Sequence, residues 1–171
     1  MDYYFSADPP EVQTMTEPII REARPNDVSA IVALWKELMD FHALLDPFFT
    51  RDENGHLSFV RLLTQLMESG KGLVLVAVDG DRVVGFTQAA ITNYSPTVKM
   101  RPFGLIYDTM VDRDYRRRGI GARLFAMQKE WFAAMGINRL EVRAMADNEL
   151  SNAFWRKMGF NAFLINYAQN I

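Results

Sequence analysis

The chain has 171 residues, which is the usual length of one domain and is enough to bury a hydrophobic core. Its 19 lysines and arginines and 21 aspartates and glutamates give a formal charge of −2, so we expect no nucleic-acid partner, which would need a basic face. The chain has no cysteine, which excludes disulfides and a cysteine acyl-enzyme. His42 and His56 are the only imidazoles and have no partner at metal-ligand spacing, so we expect no metal site.

Residues 1–16 are expected to form a flexible arm ahead of one domain at residues 17–171. They contain Pro9-Pro10 and no periodic apolar pattern, and Met15 is an alternative start to Met1. The N-terminus lacks the basic and apolar segments of a secretory signal. The apolar run 73–78 is far shorter than the ~20 residues that span a bilayer. We therefore expect a cytoplasmic protein with no membrane partner.

The predicted elements alternate between strands and helices. Helices are expected where apolar residues recur every three or four positions, and strands where β-forming residues run between turn residues. In chain order the prediction is a strand at 19–23, a helix capped by Asp27, a loop at 44–56, a helix at 58–68, strands at 73–78, 82–91 and 103–111, a helix at 120–135, a strand at 139–144, a helix at 149–158 and a strand at 160–167. This order predicts a mixed α/β sheet with helices on both faces. A homodimer through the last strand is expected if that edge is not covered.

The most informative segment joins the strand at 103–111 to the next helix and reads Arg116-Arg117-Arg118-Gly119-Ile120-Gly121-Ala122. Free amides and the positive dipole end at a helix N-terminus favour phosphate, and glycine lets the backbone approach a ligand. Arginines add fixed charge for phosphate oxygens. The alternative is that Gly119 makes a tight turn and the arginines are a solvated cluster. The segment lacks the signatures of a nucleotide-hydrolysing P-loop and of a dinucleotide fold.

This segment resembles the acetyl-CoA loop of the GNAT N-acetyltransferase superfamily, R/Q-x-x-G-x-G/A, through Arg116, Gly119 and Gly121. The preceding strand, the Asp114-Tyr115 step, the helix and the segment 148–160 follow that family's order, and the likeness covers about residues 19–165. The resemblance implies a GNAT-like acyl-CoA N-acyltransferase fold with a mostly antiparallel sheet. It also implies acetyl-CoA as cosubstrate.

The resemblance further implies which residues hold the cosubstrate. Backbone groups of Met110 and Val111 would hold the thioester and pantetheine, and the residues from Arg116 to Ala122 would wrap the pyrophosphate. Asn148 and Asn152 would lie along the pantetheine arm, with Trp155 against the cofactor. Asn148 has an alternative role as a helix cap, and Trp155 has one in the core.

Transfer to an amine requires removal of a proton, because an amine with a pKa near ~10.4 is almost wholly protonated at pH 7. Asp108 is the nearest acidic candidate for the base, beside Tyr107. Strand alternation lets only one of the two side chains face a cleft unless a bulge intervenes, so a structural role for Asp108 remains an alternative. Without cysteine, direct transfer in a ternary complex is the expected route.

The general acid is left open by the resemblance. Many family members use a tyrosine of the last helix, but Trp155 stands at that position, and indole cannot supply this proton. Tyr107, Tyr94 or solvent would then protonate the leaving thiolate.

The acceptor site is expected at the first helix and the following loop, at Phe41, His42 and Asp46. With Phe48 and Phe49, these residues would form an aromatic and acidic wall suited to a cationic amine. The alternative is that Phe48 and Phe49 close the core. The expected activity is acetylation of a primary amine on a small molecule or peptide. The rivals are an acyl-CoA-binding module with little or no transfer activity and an interaction domain that binds an unrelated anion.

Overall fold

The computed structural model describes residues 17–97, 99 and 102–169. Within them the chain forms five strands and four helices. The strands are β1 (Ile19–Glu22), β2 (Gly72–Asp79), β3 (Arg82–Asn93), β4 (Pro102–Val111) and β5 (Leu140–Val142). The helices are α1 (Val28–Leu45), α2 (Gly55–Glu68), α3 (Ile120–Ala134) and α4 (Glu149–Lys157). The predicted arm at residues 1–16 lies outside the described residues.

The sheet has the strand order β1-β2-β3-β4-β5, and every pair is antiparallel except β4–β5. The Asp79-Gly80-Asp81 hairpin is confirmed, and Gly80 has the positive φ of 57° that this turn favours. Since β4 and β5 are parallel, the chain must cross over between them, and α3 makes this crossover. The expected mixed sheet is therefore confirmed.

Helices cover both faces of the sheet, as predicted. On one face α1 and α2 pack through residues such as Ile31 and Leu63 against Val76 and Phe86. On the other face α3 packs against β2 and β3. A third cluster joins α3 to α4 and includes Trp155. Because β2 and β3 are covered on both sides, their runs are apolar almost throughout instead of alternating.

The prediction of a strand at 160–167 is wrong. Phe160 packs against Phe125 and Trp155, but the described residues beyond it are exposed and join neither edge of the sheet. A strand needs a ladder partner as well as β-forming residues, and this segment has none among the described residues. The predicted basis for a homodimer, an exposed edge strand here, is lost with it.

Asp27 stands at the start of α1 as predicted, but its carboxylate does not cap the helix. Instead it accepts two hydrogen bonds from Arg21, at 2.7 and 2.9 Å, and one from the amide of Arg24 at 2.6 Å. These bonds lower the pKa of Asp27, the Arg21 bond most strongly. Asp27 therefore ties β1 to the beginning of α1.

Candidate active site

β4 has a partner on one side along its whole length and on the other side for only three residues. β3 pairs with it from Pro102 to Val111, whereas β5 pairs only with Gly104, Leu105 and Ile106. Beyond residue 106, no described strand lies on the β5 side. The amide of Asp112 donates to Val84 of β3 at 2.8 Å, so ladder alternation turns the amide of Val111 toward the open side. This half of β4 is a free edge.

The free edge leads directly into the arginine-glycine loop. Arg117 has a φ of 60° and Gly119 a φ of 80°, both in the left-handed region. Gly119 is the N-cap residue of α3, and no side chain caps that helix. A Cβ on Gly119 would meet nothing within 4 Å. The N-terminus of α3 therefore has open space beside Gly119 and no side-chain cap, and the free amides of such a helix start can bind phosphate.

Two of the three arginines hold the loop in place. The Nε of Arg116 donates to the carbonyl of Val111 at 3.0 Å, and its guanidinium lies 3.8 Å from the sulfur of Met110. Arg118 donates to the carbonyl of Asp114 at 2.7 Å and lies over the ring of Tyr115. These arginines are thus bonded to the loop and are not simply solvated. The loop, its amides and its charge fit a diphosphate group.

Gly121 has a packing role beside the one implied by the resemblance. A Cβ at this position would lie 3.3 Å from the ring of Phe154 on α4, closer than most real contacts. A side chain at residue 121 would therefore push α4 away from α3.

The predicted pantetheine residues have structural partners. The Oδ1 of Asn148 accepts a hydrogen bond from the amide of Ser151 at 3.0 Å, so Asn148 caps α4. The amide group of Asn152 donates to three carbonyls of the loop before α4. Trp155 is 7% exposed and packs edge-on against Phe125. The structure thus shows the capping and core roles, and contact of these residues with a cofactor stays a prediction.

A β-bulge lies at the predicted catalytic pair. Gln88 is opposite Asp108, but the next residue of β3, Ala89, is opposite Ile106, which leaves Tyr107 unpaired. In a regular strand, Tyr107 and Asp108 would face opposite sides of the sheet. The bulge breaks this alternation, so both side chains can face the same side. Tyr107 is 38% exposed. Sequence alternation alone could not decide this point, because the extra residue has no signature in β4.

Asp108 is a largely buried acid with a polar partner on β3. Its Oδ2 accepts a hydrogen bond from the Nε2 of Gln88 at 2.6 Å. Burial raises the pKa of Asp108, and the Gln88 hydrogen bond and the nearby His42 oppose that rise. Burial likewise lowers the pKa of His42, which the charge of Asp108 opposes. A largely buried carboxyl with a raised pKa is a candidate for proton transfer.

A buried polar cluster lies at the bulge and was not predicted from the sequence. The hydroxyl of Thr87 donates to the carbonyl of Asp108 at 3.0 Å and lies 2.7 Å from the hydroxyl of Thr109. Thr87 also accepts a hydrogen bond from Gln128 of α3 at 2.8 Å. The signal was available, since Thr87 and Gln88 are two polar residues inside an otherwise apolar strand.

The proposed acceptor wall is only partly joined to this site. The charge of His42 influences the pKa of Asp108, whereas Asp46 accepts a hydrogen bond from the amide of Phe48 within its own turn. Phe41 is exposed, and Phe48 is 87% exposed, so the alternative that Phe48 closes the core is wrong.

Tyr94, the other predicted acid, is already engaged. Its hydroxyl donates to Glu141, which also accepts a hydrogen bond from Arg139, and its ring stacks on Phe103. The hydrogen bond to Glu141 raises the pKa of Tyr94. Tyr107 is therefore the better-placed phenol.

The described part of the chain has neither a candidate membrane span nor a candidate metal cluster. No helix there is long and apolar enough to cross a membrane. No group of three or more histidine, aspartate or glutamate side chains there could hold a metal ion.

Comparison with solved structures shows the fold. A tetramutant of the BH1408 protein from Bacillus halodurans has a TM-score of 0.80 at 22% identity, covering 90% of this chain and 99% of that one. The aminoglycoside antibiotic 6'-N-acetyltransferase of Acinetobacter haemolyticus has a TM-score of 0.69 at 18% identity, covering 90% and 99%. An aminoglycoside N-acetyltransferase in complex with CoA has a TM-score of 0.70 at 18% identity, covering 90% and 95%.

Sequence comparison identifies the family. No curated protein sequence matches significantly. The family model described as "Acetyltransferase (GNAT) family" matches residues 35–160, which is well over half of the 171 residues. The chain therefore belongs to the GNAT acetyltransferase family.

Proposed function

We propose that this protein transfers an acetyl group from acetyl-CoA to a primary amine of a small molecule or peptide, directly and within a ternary complex. One observation carries the proposal. A largely buried carboxylate, Asp108, stands on β4 three residues before Val111, where the free edge leads into the uncapped start of α3. A proton acceptor and a diphosphate site thus lie on one continuous segment.

Residues of the loop would hold the cosubstrate. The amides from Gly119 to Ala122, with the charge of Arg117, would bind the pyrophosphate, and the amide of Val111 would bind the pantetheine arm. Acetyl-CoA supplies the activated acetyl group as a thioester. Aminoglycoside acetyltransferases with this fold were solved with CoA and with a CoA bisubstrate analogue, which supports the same cosubstrate here.

Asp108 would act as the general base. Deprotonating an amine with a pKa near 10.4 at pH 7 costs about 4–5 kcal/mol, and a positioned carboxylate reduces that barrier. Tyr107 would protonate the leaving thiolate, because it lies beside Asp108 in the bulge. Phe41, His42 and Asp46 would line the acceptor side. The cytoplasmic location and the homodimer stay predictions.

A second candidate is an acyl-CoA-binding module with little or no transfer activity. One observation favours it: Trp155 stands where many family members have the tyrosine that acts as general acid, and it is buried among aromatic rings.

An amine panel distinguishes the two candidates. We expect CoA release from acetyl-CoA with at least one primary amine. We expect Asp108→Asn to lower turnover about a hundredfold or more, because the general base is lost. The rise in melting temperature caused by acetyl-CoA should stay near that of the wild type. Binding of acetyl-CoA without CoA release on a broad panel would favour the binding module.

A further inference from the structure

Gln88 is a buried polar residue in the middle of an apolar strand. Its side chain is 0% exposed, and its Oε1 is buried without a hydrogen-bond partner among the described residues. An orphaned buried oxygen costs free energy, so an apolar residue of this size would suit the core better. The residues that break such local rules tend to serve the functional site.

The one hydrogen bond that Gln88 makes goes to Asp108. Its Nε2 donates to Oδ2 at 2.6 Å, a short distance typical of bonds to a charged group. No described residue donates a hydrogen bond to the other oxygen, Oδ1. The backbone carbonyl of Asp108 is held separately, from the opposite face of the sheet, by the hydroxyl of Thr87. The carboxylate is therefore fixed through one oxygen while the other stays available.

We propose that Gln88 is a positioning residue for Asp108: it orients the carboxylate and favours its ionised form, leaving Oδ1 free to take the proton of the acceptor amine. This inference rests on the proposed function, in which Asp108 is the base. The proton passes from the ammonium nitrogen to Oδ1, and the nitrogen lone pair that this frees forms a bond to the acetyl carbon. The C–S bond of the thioester then breaks, and Tyr107 protonates the CoA thiolate that leaves.

The charges around Asp108 agree with this role. Burial raises the pKa of Asp108, and the hydrogen bond from Gln88 is the larger of the two influences that lower it. The other is the charge of His42 on α1, and Tyr107 precedes Asp108 on β4. Without Gln88, we expect the carboxyl to hold its proton to a higher pH.

Gln128 provides a matched control. It is also 0% exposed, it also has a buried Oε1 without a described partner, and its Nε2 also donates one hydrogen bond. That bond goes to Thr87 at 2.8 Å and not to the carboxylate. Replacing each glutamine with methionine, which has a similar length, removes the same groups from two equally buried places.

The test compares the wild type, Gln88→Met and Gln128→Met by 13C NMR titration of the Asp108 carboxyl, with its signal assigned from Asp108→Asn and with His42 followed in parallel. We expect Gln88→Met to raise the pKa of Asp108 by about one pH unit or more. The acid limb of the kcat/KM profile should move to higher pH with it. Gln128→Met should leave the pKa of Asp108 and that limb in place. Gln88→Leu serves as a second variant if Gln88→Met does not fold.

An unchanged pKa of Asp108 in the Gln88 variants would overturn the inference, whether or not turnover is detected. A raised pKa with an unmoved acid limb would also overturn it, provided that Asp108→Asn is inactive. Full turnover in Asp108→Asn would instead refute the base in the proposed function. The NMR titration separates that failure from a failure of Gln88 to hold the carboxylate.

Discussion

At the scale of single residues, the bond between Asp27 and Arg21 gives a pH-dependent prediction. We expect Asp27→Asn to lower the free energy of unfolding at pH 7 by about 1–3 kcal/mol, because it removes charged hydrogen bonds to a buried group. The pKa of Asp27 is lowered in the folded state, so its contribution is complete above about pH 4, the unfolded value. It is lost as the pH falls through the folded value. Urea denaturation between pH 7 and pH 3 measures the difference.

The control is Asp40→Asn, which breaks the ion pair between Asp40 and Arg51. The carboxylate of Asp40 is mostly exposed. Exposed pairs contribute little, so this variant should stay close to the wild type at every pH. A deficit of Asp27→Asn that stayed constant down to pH 3 would contradict the assignment to the carboxylate charge.

Single residues also show the limit of sequence-based prediction. Gly119 and Arg116 could be predicted from the sequence as phosphate-binding residues, because binding of phosphate depends on the local backbone and charge. Gln88 stands out as a polar residue in an apolar strand, but the hydrogen-bond partners of Gln88 and Gln128 could not be predicted, because they depend on which residues stand opposite them across the sheet and on α3. The proposed catalytic pair lies between these cases, since the register shift between β3 and β4 decides which side Tyr107 and Asp108 face.

At the scale of elements, the junction of the loop with α3 predicts how Gly119 contributes. Alanine at a φ of 80° is strained by roughly 1–2 kcal/mol. Its Cβ would also enter the open space that we assign to the pyrophosphate. We therefore expect Gly119→Ala to reduce the rise in melting temperature that acetyl-CoA causes. The affinity for acetyl-CoA should fall about tenfold or more, because the added Cβ keeps the backbone away from the ligand.

Gly80→Ala is the matched control for this prediction. Gly80 also has a positive φ, 57°, and open space around its Cβ, but it lies in the β2–β3 hairpin. Both variants should lose similar stability without ligand. An equal response of the two variants to acetyl-CoA would move the diphosphate site away from Gly119.

Elements with strong local signals could be predicted, and those that depend on a partner could not. The β2–β3 hairpin and α3 were found because turn residues and periodicity specify them. The segment 160–167 has strand-like composition, but a strand also needs a free edge in register. β5 is also shorter than the predicted strand at 139–144, because only Leu140–Val142 pair with β4.

At the scale of the whole molecule, the order of elements was enough to predict the mixed sheet with helices on both faces. The same order of elements supports one domain at residues 17–171 that folds without residues 1–16. We expect a chain that starts at Met15 to melt within about 2 °C of the full chain. For a protein of this size, that difference corresponds to less than about 1 kcal/mol in the free energy of unfolding. The chain that starts at Met15 keeps Glu17, which pairs with Arg123 of α3 at 2.7 Å.

A chain that starts at Ala23 provides the comparison. It lacks β1, whose four residues pair with β2, and should melt much lower. A large loss for the Met15 start would contradict the single domain at residues 17–171.

The free edge of β4 has a consequence for association between copies of the protein. An unpaired strand edge offers amides and carbonyls to any other strand, and such edges are where proteins aggregate. Here the guanidinium of Arg116 occupies the carbonyl of Val111, which an incoming strand would need. Its charge, with those of Arg117 and Arg118, also repels a second copy that carries the same edge. The arginines therefore oppose pairing of this edge with a strand of another copy, while the edge stays open to the cosubstrate that we propose.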